Sequence, residues 1–152
     1  MDTISKQQRS ELMSRVGGKN TSPERTIRRL LHGKGYRFGL HTNTLPGTPD
    51  LLLRKHGVAI FVDGCFWHGH ARCPLYRLPK TGKKFWSDKI EKNQRRDKIA
   101  DRKLLALGWR VLHVWECALH SKSRLSETAL VGRIEAFIQG EGKSKNIRGR
   151  KI

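Results

Sequence analysis

Cys65, His70 and Cys73 fall close together in "DGCFWHGHARC", the stretch from Asp63 to Cys73. Thiolate and imidazole are the usual donors to zinc, and the spacing C-x4-H-x2-C lets one loop offer all three groups to a single ion. Cys117 ends "RVLHVWEC" and is the remaining member of only 3 cysteines. It would close a Cys3His tetrahedron. A reduced cysteine is also simply a small buried hydrophobe, but every cysteine in this chain is used and a histidine stands at ligand spacing. We therefore expect a structural zinc that pins a core-poor loop to the strand ending at Cys117. An odd cysteine count speaks against a disulfide framework.

A second set of residues could handle phosphate chemistry. Asp50 follows Pro49 at the start of "DLLLR", and "VAIFVDG" comes after a short connection. The end of the second strand can thus lie beside Asp50. A carboxylate there could hold Mg²⁺ against a substrate phosphate, with a main-chain carbonyl and waters filling the octahedron. Pro-Asp alone is common in turns; with the strand and the charge described below it points to metal-assisted phosphodiester cleavage. His68 lies between the zinc ligands yet outside the simplest ligand set. Its ordinary pKa near neutrality suits it to take a proton from an attacking water. Asp97 could orient that imidazole and Glu24 could bind a metal-bound water. Asp97 equally fits a solvated helix face beside Arg95 and Arg96, and Glu24 equally fits a helix N-terminus that favours an acid.

Phe66 and Trp67 are adjacent, so a regular strand cannot turn both into one core. Either one covers the zinc loop or both project as wedges able to unstack a duplex. Phe85-Trp86 is a second such pair, which a helix could bury. Trp109 and Trp115 read as core residues of a strand.

The elements that position these groups follow from capping and periodicity. Ser22-Pro23-Glu24 starts a helix, with Ser as cap and Pro at the first helical position; Ile27, Leu30 and Leu31 share a face, and Gly33 and Gly35 stop it. "YRFGL", "DLLLR" and "VAIFV" read as strands. A long charged helix runs from about Lys84 to Leu107 with Gly108 as its stop. "WRVLHVW" is a further buried strand, and Ser126 caps a last helix with Leu130, Ile134, Phe137 and Ile138 inward. Residues 1–20 read as a basic N-terminal arm, 21–140 as one domain, and 141–152 as a basic, disordered tail. The order implies an α/β domain around a mixed central sheet flanked by helices.

Composition sets the partner. The chain carries 32 Lys and Arg against 13 Asp and Glu, a formal charge of +19. Such a charge repels itself unless a polyanion is close, and release of counterions from a phosphate backbone would drive binding. No apolar run could span a bilayer, and the first twenty residues are polar with no secretory pattern. The expected setting is the cytoplasm, with no membrane partner.

These residues together resemble the very-short-patch-repair (Vsr) DNA mismatch endonucleases. The resemblance rests on "RSELMSRVGGKNTSPE", "LPGTPDLLL", "VAIFVDGCFWHGHARCP", "FWSDKIEKNQRRD" and "LGWRVLHVWECAL", in that order. It implies a restriction-endonuclease-like fold and a Mg²⁺-dependent site. By position, Asp50 would be the metal carboxylate, the Val62 carbonyl a main-chain ligand, His68 the base, Asp97 its partner and Glu24 the acid reaching metal-bound water. Cys65, His70, Cys73 and Cys117 would hold the zinc. Phe66, Trp67 and Trp86 would intercalate beside the mismatch, with Met13 entering from the minor groove.

The family nicks double-stranded DNA 5′ to the thymine of a T:G mismatch left by deamination of 5-methylcytosine. The implied functional associates are a cytosine-5 DNA methyltransferase and a repair polymerase, and the implied setting is bacterial, nucleoid-associated through DNA. Cutting one strand needs a single active site, so a monomer is expected. Where the wider fold carries an acid-x-Lys tripeptide, this chain has Phe61-Val62-Asp63, and some family members have His at the position of Asp63. That carboxylate could bind metal or orient a water. The loop holding Arg72 is one residue longer than in at least one family form. Two readings of other classes stay open: a zinc-stabilised DNA-binding module without catalysis, and a restriction-type nuclease of other specificity.

Overall fold

The structure, a computed structural model, describes residues 21–150. Helix α1 (Ser22–Gly33) leads to strands β1 (Gly39–Leu40), β2 (Leu51–Leu53) and β3 (Val58–Asp63). Helix α2 (Lys83–Ala106) crosses to β4 (Arg110–Trp115), and a single 3₁₀ turn (Glu116–Ala118) precedes helix α3 (Glu127–Gln139) and β5 (Ser144–Ile147). The five strands form one sheet in chain order. β1, β2 and β3 pair antiparallel, whereas β3, β4 and β5 are parallel. The parallel half follows from its connections, since α2 and α3 are the crossovers that a parallel pair requires.

Both faces of the sheet are covered, which explains the near-continuous apolar runs of β2, β3 and β4. Leu51, Leu53, Val58, Ile60, Leu112 and Val114 pack on one face against Ile27 and Leu31 of α1 and Ile134 and Phe137 of α3. Alternate residues Leu52, Ala59, Phe61 and Val111 face the other way and meet Leu104 of α2. In α2 only Ile90, Ala100 and Leu104 are buried. Asn93, Asp97 and Asp101 fall on the same stripe at spacings of three or four. The apolar stripe thus becomes polar where it passes the end of the sheet.

Helix boundaries agree with the sequence to within a residue. Thr21 rather than Ser22 is the cap of α1, its Oγ1 accepting the Glu24 N–H at 3.4 Å, so the proline sits one place further in. Either hydroxyl can cap, and proline is tolerated throughout the first turn because those N–H groups have no helical partner. Ser126 caps α3 as expected, accepting from Ala129 N–H, and the four residues read as inward-facing are buried.

The segment read as a disordered tail requires correction. Residues 144–147 extend the sheet, with Val111 opposite Ser144 and Val114 opposite Ile147. Ile147 is buried in the main core. The Arg110 guanidinium ties down the approach, donating to the carbonyls of Phe137, Ile138 and Gly142 and lying 4.7 Å over the Phe137 ring. One apolar anchor and main-chain pairing suffice here because β4 offers an open edge. "YRFGL" is the reverse case: only Gly39 and Leu40 pair.

Candidate active site and metal centre

The C-terminal ends of β3 and β4 and the start of β2 meet at one end of the sheet, where a cleft of about 510 Å³ opens against α2. Asp50, Asp63, His68, Asp97, Asp101 and His113 all line it. Asp50 immediately precedes β2, and its Oδ2 accepts the Val62 N–H at 2.7 Å across the β2–β3 pair. Burial pushes the Asp50 carboxyl up to about 7; the Val62 N–H lowers it, and the nearby charges of Glu24 and Asp63 raise it further. Such a carboxylate is short of positive charge. A bound cation would meet that need.

His68 sits in the turn after β3. Its Nδ1 lies 2.5 Å from Asp97 Oδ2 and its Nε2 lies 3.9 Å from Asp63 Oδ1. A carboxylate only accepts, so Nδ1 carries a hydrogen and Nε2 is the lone-pair nitrogen of the neutral ring. Burial pulls the imidazole pKa down, but the Asp97 hydrogen bond and the charges of Asp63 and Asp97 outweigh it and raise it. The main chain here is fixed by α2: Asn93 donates to the Trp67 carbonyl at 3.0 Å, and Gln94 to those of His68 and Gly69 at 3.3 and 3.1 Å. Gly69, at φ +58°, permits this approach, since a Cβ there would lie 2.5 Å from the Gln94 amide nitrogen and 2.7 Å from Ile90. Another residue would push the loop off the helix.

Glu24 is 1% exposed. It accepts from Arg28 at 2.9 Å and hydrogen-bonds to His41. The ligand atoms of Glu24, His41 and Asp50 lie within 4.8 Å of one another. His41 was not singled out from sequence; it follows a strand of two residues and no motif marks it.

Two further residues, Asp101 and His113, escaped the sequence reading, and they meet Asp63. Asp63, 4% exposed, lies 2.5 Å from His113 Nδ1, and His113 Nε2 lies 2.9 Å from both oxygens of Asp101. His113 also stacks on Phe61, with ring centroids 5.0 Å apart. Burial opposes a charge on this ring, but the hydrogen bonds to Asp101 and Asp63 prevail and push its pKa up to about 10. Within "RVLHVW" the residue looks like core. Only its parity, on the face shared by Val111 and opposite Phe61 in the pairing, could have indicated that it meets Asp63 and α2.

Cys65, His70, Cys73 and Cys117 are all buried, and one ligand atom from each falls within 4.8 Å of every other. His70 presents Nδ1, 3.5 Å from Cys65 Sγ and 3.6 Å from Cys117 Sγ. This set can hold a metal ion. Hydrogen bonding from Cys65 pulls the Cys117 thiol well below the ordinary thiol range against the effect of burial, with His70 and the Gly149 N–H assisting. Trp115 is not the core residue expected: its ring stacks on His70 at 3.9 Å and 4°. Glu116 accepts the Cys65 N–H at 3.2 Å, Arg148 donates to the Arg72 carbonyl at 2.8 Å, and Gly149 N–H meets Cys117 Sγ at 3.3 Å. The long loop at Arg72 is therefore held by the segment after β5.

Phe66, Trp67 and Trp86 form a half-buried group of rings with centroids 5.2 to 5.8 Å apart. Phe85 joins it and is 55% exposed, so α2 buries neither member of that pair. Trp67 reaches the cleft itself, and the Lys89 ammonium lies 5.6 and 5.8 Å from the Trp67 and Trp86 rings. Met13 lies outside the described residues.

A mixed sheet with acidic side chains, a histidine–aspartate pair and a ledge of aromatic rings at one cleft has the make-up of a hydrolase that acts on nucleic acid. Comparison with known proteins gives the family. The family model for the DNA mismatch endonuclease Vsr matches residues 1–74. The DNA mismatch endonuclease Vsr of Escherichia coli K12 is 42% identical over 96% of this chain and 93% of its own length. The type II nicking enzyme V.XorIIP of Xanthomonas oryzae is 49% identical over 78% of this chain and 86% of its own. V.NmeAIP of Neisseria meningitidis, also a type II nicking enzyme, is 36% identical over 80% and 86%. The chain belongs to the Vsr family of DNA mismatch endonucleases. No helix among the described residues is long and apolar enough to cross a membrane.

Proposed function

We propose that this chain is a Mg²⁺-dependent endonuclease that nicks double-stranded DNA 5′ to the thymine of a T:G mismatch, starting very short patch repair. The observation that carries the reading is the meeting, in one cleft, of half-buried Asp50 with the His68–Asp97 pair beside the rings of Phe66, Trp67 and Trp86. The sheet is then the core of a restriction-endonuclease-like fold. Asp50 and the Val62 carbonyl would hold Mg²⁺ and Glu24 would reach a water on it. The ion supplies charge stabilisation at the scissile phosphate.

His68 Nε2 takes a proton from the attacking water while Asp97 fixes the tautomer and steadies the imidazolium that forms. The water oxygen bonds to phosphorus, the P–O3′ bond breaks, and the departing 3′ oxygen takes a proton from solvent while His68 later returns its own to solvent, leaving a 5′ phosphate and a 3′ hydroxyl. The aromatic ledge would enter the stack where pairing is poorest, which gives the mismatch its preference. Met13 would enter the minor groove from the N-terminal arm.

Zinc fits the Cys3His set on metric grounds. Tetrahedral bonds of about 2.3 Å to sulfur and about 2.05 Å to nitrogen separate those atoms by about 3.55 Å, and the two S···N distances are 3.5 and 3.6 Å. The product calls for a repair polymerase, the lesion for a cytosine-5 DNA methyltransferase, and the site for a monomer in the bacterial cytoplasm.

The test compares end-labelled T:G, T:A and C:G duplexes with and without Mg²⁺. A single nick 5′ to the mismatched thymine, only with Mg²⁺, is expected. Binding without cleavage supports a non-catalytic module, and cutting of both strands a restriction-type nuclease; either overturns the proposal.

A further inference from the structure

On the reading above, one set of cleft side chains remains without a role: the line Asp101–His113–Asp63, buried at His113 and Asp63, which ends 3.9 Å from His68 Nε2. We propose that His113 is a positioning residue that clamps Asp63 so that its second oxygen shares the attacking water with His68 Nε2. The inference rests on the functional proposal and extends it to residues 101 and 113.

The geometry runs as a relay. His113 Nδ1 engages Asp63 Oδ2 at 2.5 Å, whereas the oxygen turned toward His68 Nε2, at 3.9 Å, is Oδ1. That separation is too long for a hydrogen bond and suits a bridging water about 2.8 Å from each atom. The water would donate one hydrogen to Asp63 and one to His68, leaving a lone pair for phosphorus. Asp63 could rotate away from this pose about its terminal torsion, which is soft. His113 prevents that, and is itself held at its far nitrogen by both oxygens of Asp101 at 2.9 Å and on its face by Phe61.

Both ring nitrogens face carboxylates, so both carry hydrogens and the ring is a cation between two anions. Without it, Asp63 would be a buried carboxylate beside Asp50 with that oxygen left without its counter-charge. A cation in the apolar strand "RVLHVW" therefore has a specific counterpart at the water site. No lysine stands at Asp63 to polarise water, and this line supplies a water-orienting group there.

The test uses single-turnover nicking of a T:G duplex with saturating Mg²⁺, alongside duplex affinity and thermal melting. His113→Leu should slow nicking about 100-fold, the loss typical of a reacting group misplaced by about 1 Å. Duplex affinity should stay within about threefold, because on this proposal His113 acts through Asp63 rather than on the duplex. His113→Asn puts its amide nitrogen where Nδ1 stood, and His113→Gln where Nε2 stood. Asn should recover at least about tenfold over Leu, and Gln should not. A purely structural role would instead make nicking follow melting temperature.

Near-normal nicking by His113→Leu, or equal rates for Asn and Gln, overturns the inference while wild-type nicking keeps the functional reading intact. A wild type that nicks no T:G duplex overturns both. Should His113→Leu fail to fold, the Asn and Gln pair decides alone.

Discussion

Asp50→Asn separates the metal role of the cleft from its structural cost. Burial holds the Asp50 carboxyl at about 7 instead of the ordinary 3.8. Below pH 3.8 folded and unfolded chains both hold the proton, and no penalty exists. Between 3.8 and about 7 the unfolded chain releases it and the folded chain does not, so stability falls as pH rises. Above about 7 the full penalty applies: about 1.36 kcal/mol per pH unit over that interval, or about 4 kcal/mol at most.

Asparagine is nearly the same shape, can still accept the Val62 N–H, and carries no charge. In Mg²⁺-free buffer at pH 8 the variant should therefore be more stable than wild type. At about 2–4 °C per kcal/mol for a chain of this size, a gain of at least about 5 °C is expected, shrinking to nothing near pH 4. Mg²⁺ should raise the melting temperature of wild type but not of the variant, and nicking should be abolished with T:G binding retained. Scanning calorimetry across pH with and without Mg²⁺, a nicking assay and a duplex-binding assay measure these effects. A variant that melts at or below wild type at pH 8, or that still nicks, refutes the reasoning.

Replacing Cys73 by Ser should release the loop from Gly64 to Tyr76, lowering the melting temperature and removing the single equivalent of zinc that elemental analysis should find in the wild type. Zinc retained at full stoichiometry by Cys73→Ser would contradict the Cys3His assignment. Trp67→Ala should weaken T:G binding about 10- to 100-fold, the value of one stacked base, while T:A binding changes little; equal losses on both duplexes would remove the ring from mismatch recognition.

Much of this site was legible because its chemistry is local. Cys65, His70 and Cys73 advertise a ligand set by spacing alone, and Asp50 stands just before one strand and His68 just after its neighbour, so their proximity could be anticipated. Asp97 was ambiguous for a physical reason: a charged helix shows the same pattern whether a carboxylate faces water or an imidazole. His113 was missed because a lone histidine in an apolar strand looks like core, and its partners stand 50 and 12 residues away. His41 follows a strand only two residues long. β5 left no periodic trace, since three of its four side chains are exposed and its pairing is a main-chain property. Trp115 alternates correctly with Val111 and His113, but nothing in a strand pattern shows that a ring will cover a metal ligand.

The segment from β5 to Arg150 has a consequence for the order of biosynthesis. Asn146 accepts from the Trp115 indole, Arg148 grips the Arg72 carbonyl, and Gly149 touches Cys117 Sγ. During translation the four metal-binding side chains leave the ribosome well before these residues do. The ion can be captured early, yet the loop that bears His68 acquires its last braces only when Gly149 emerges.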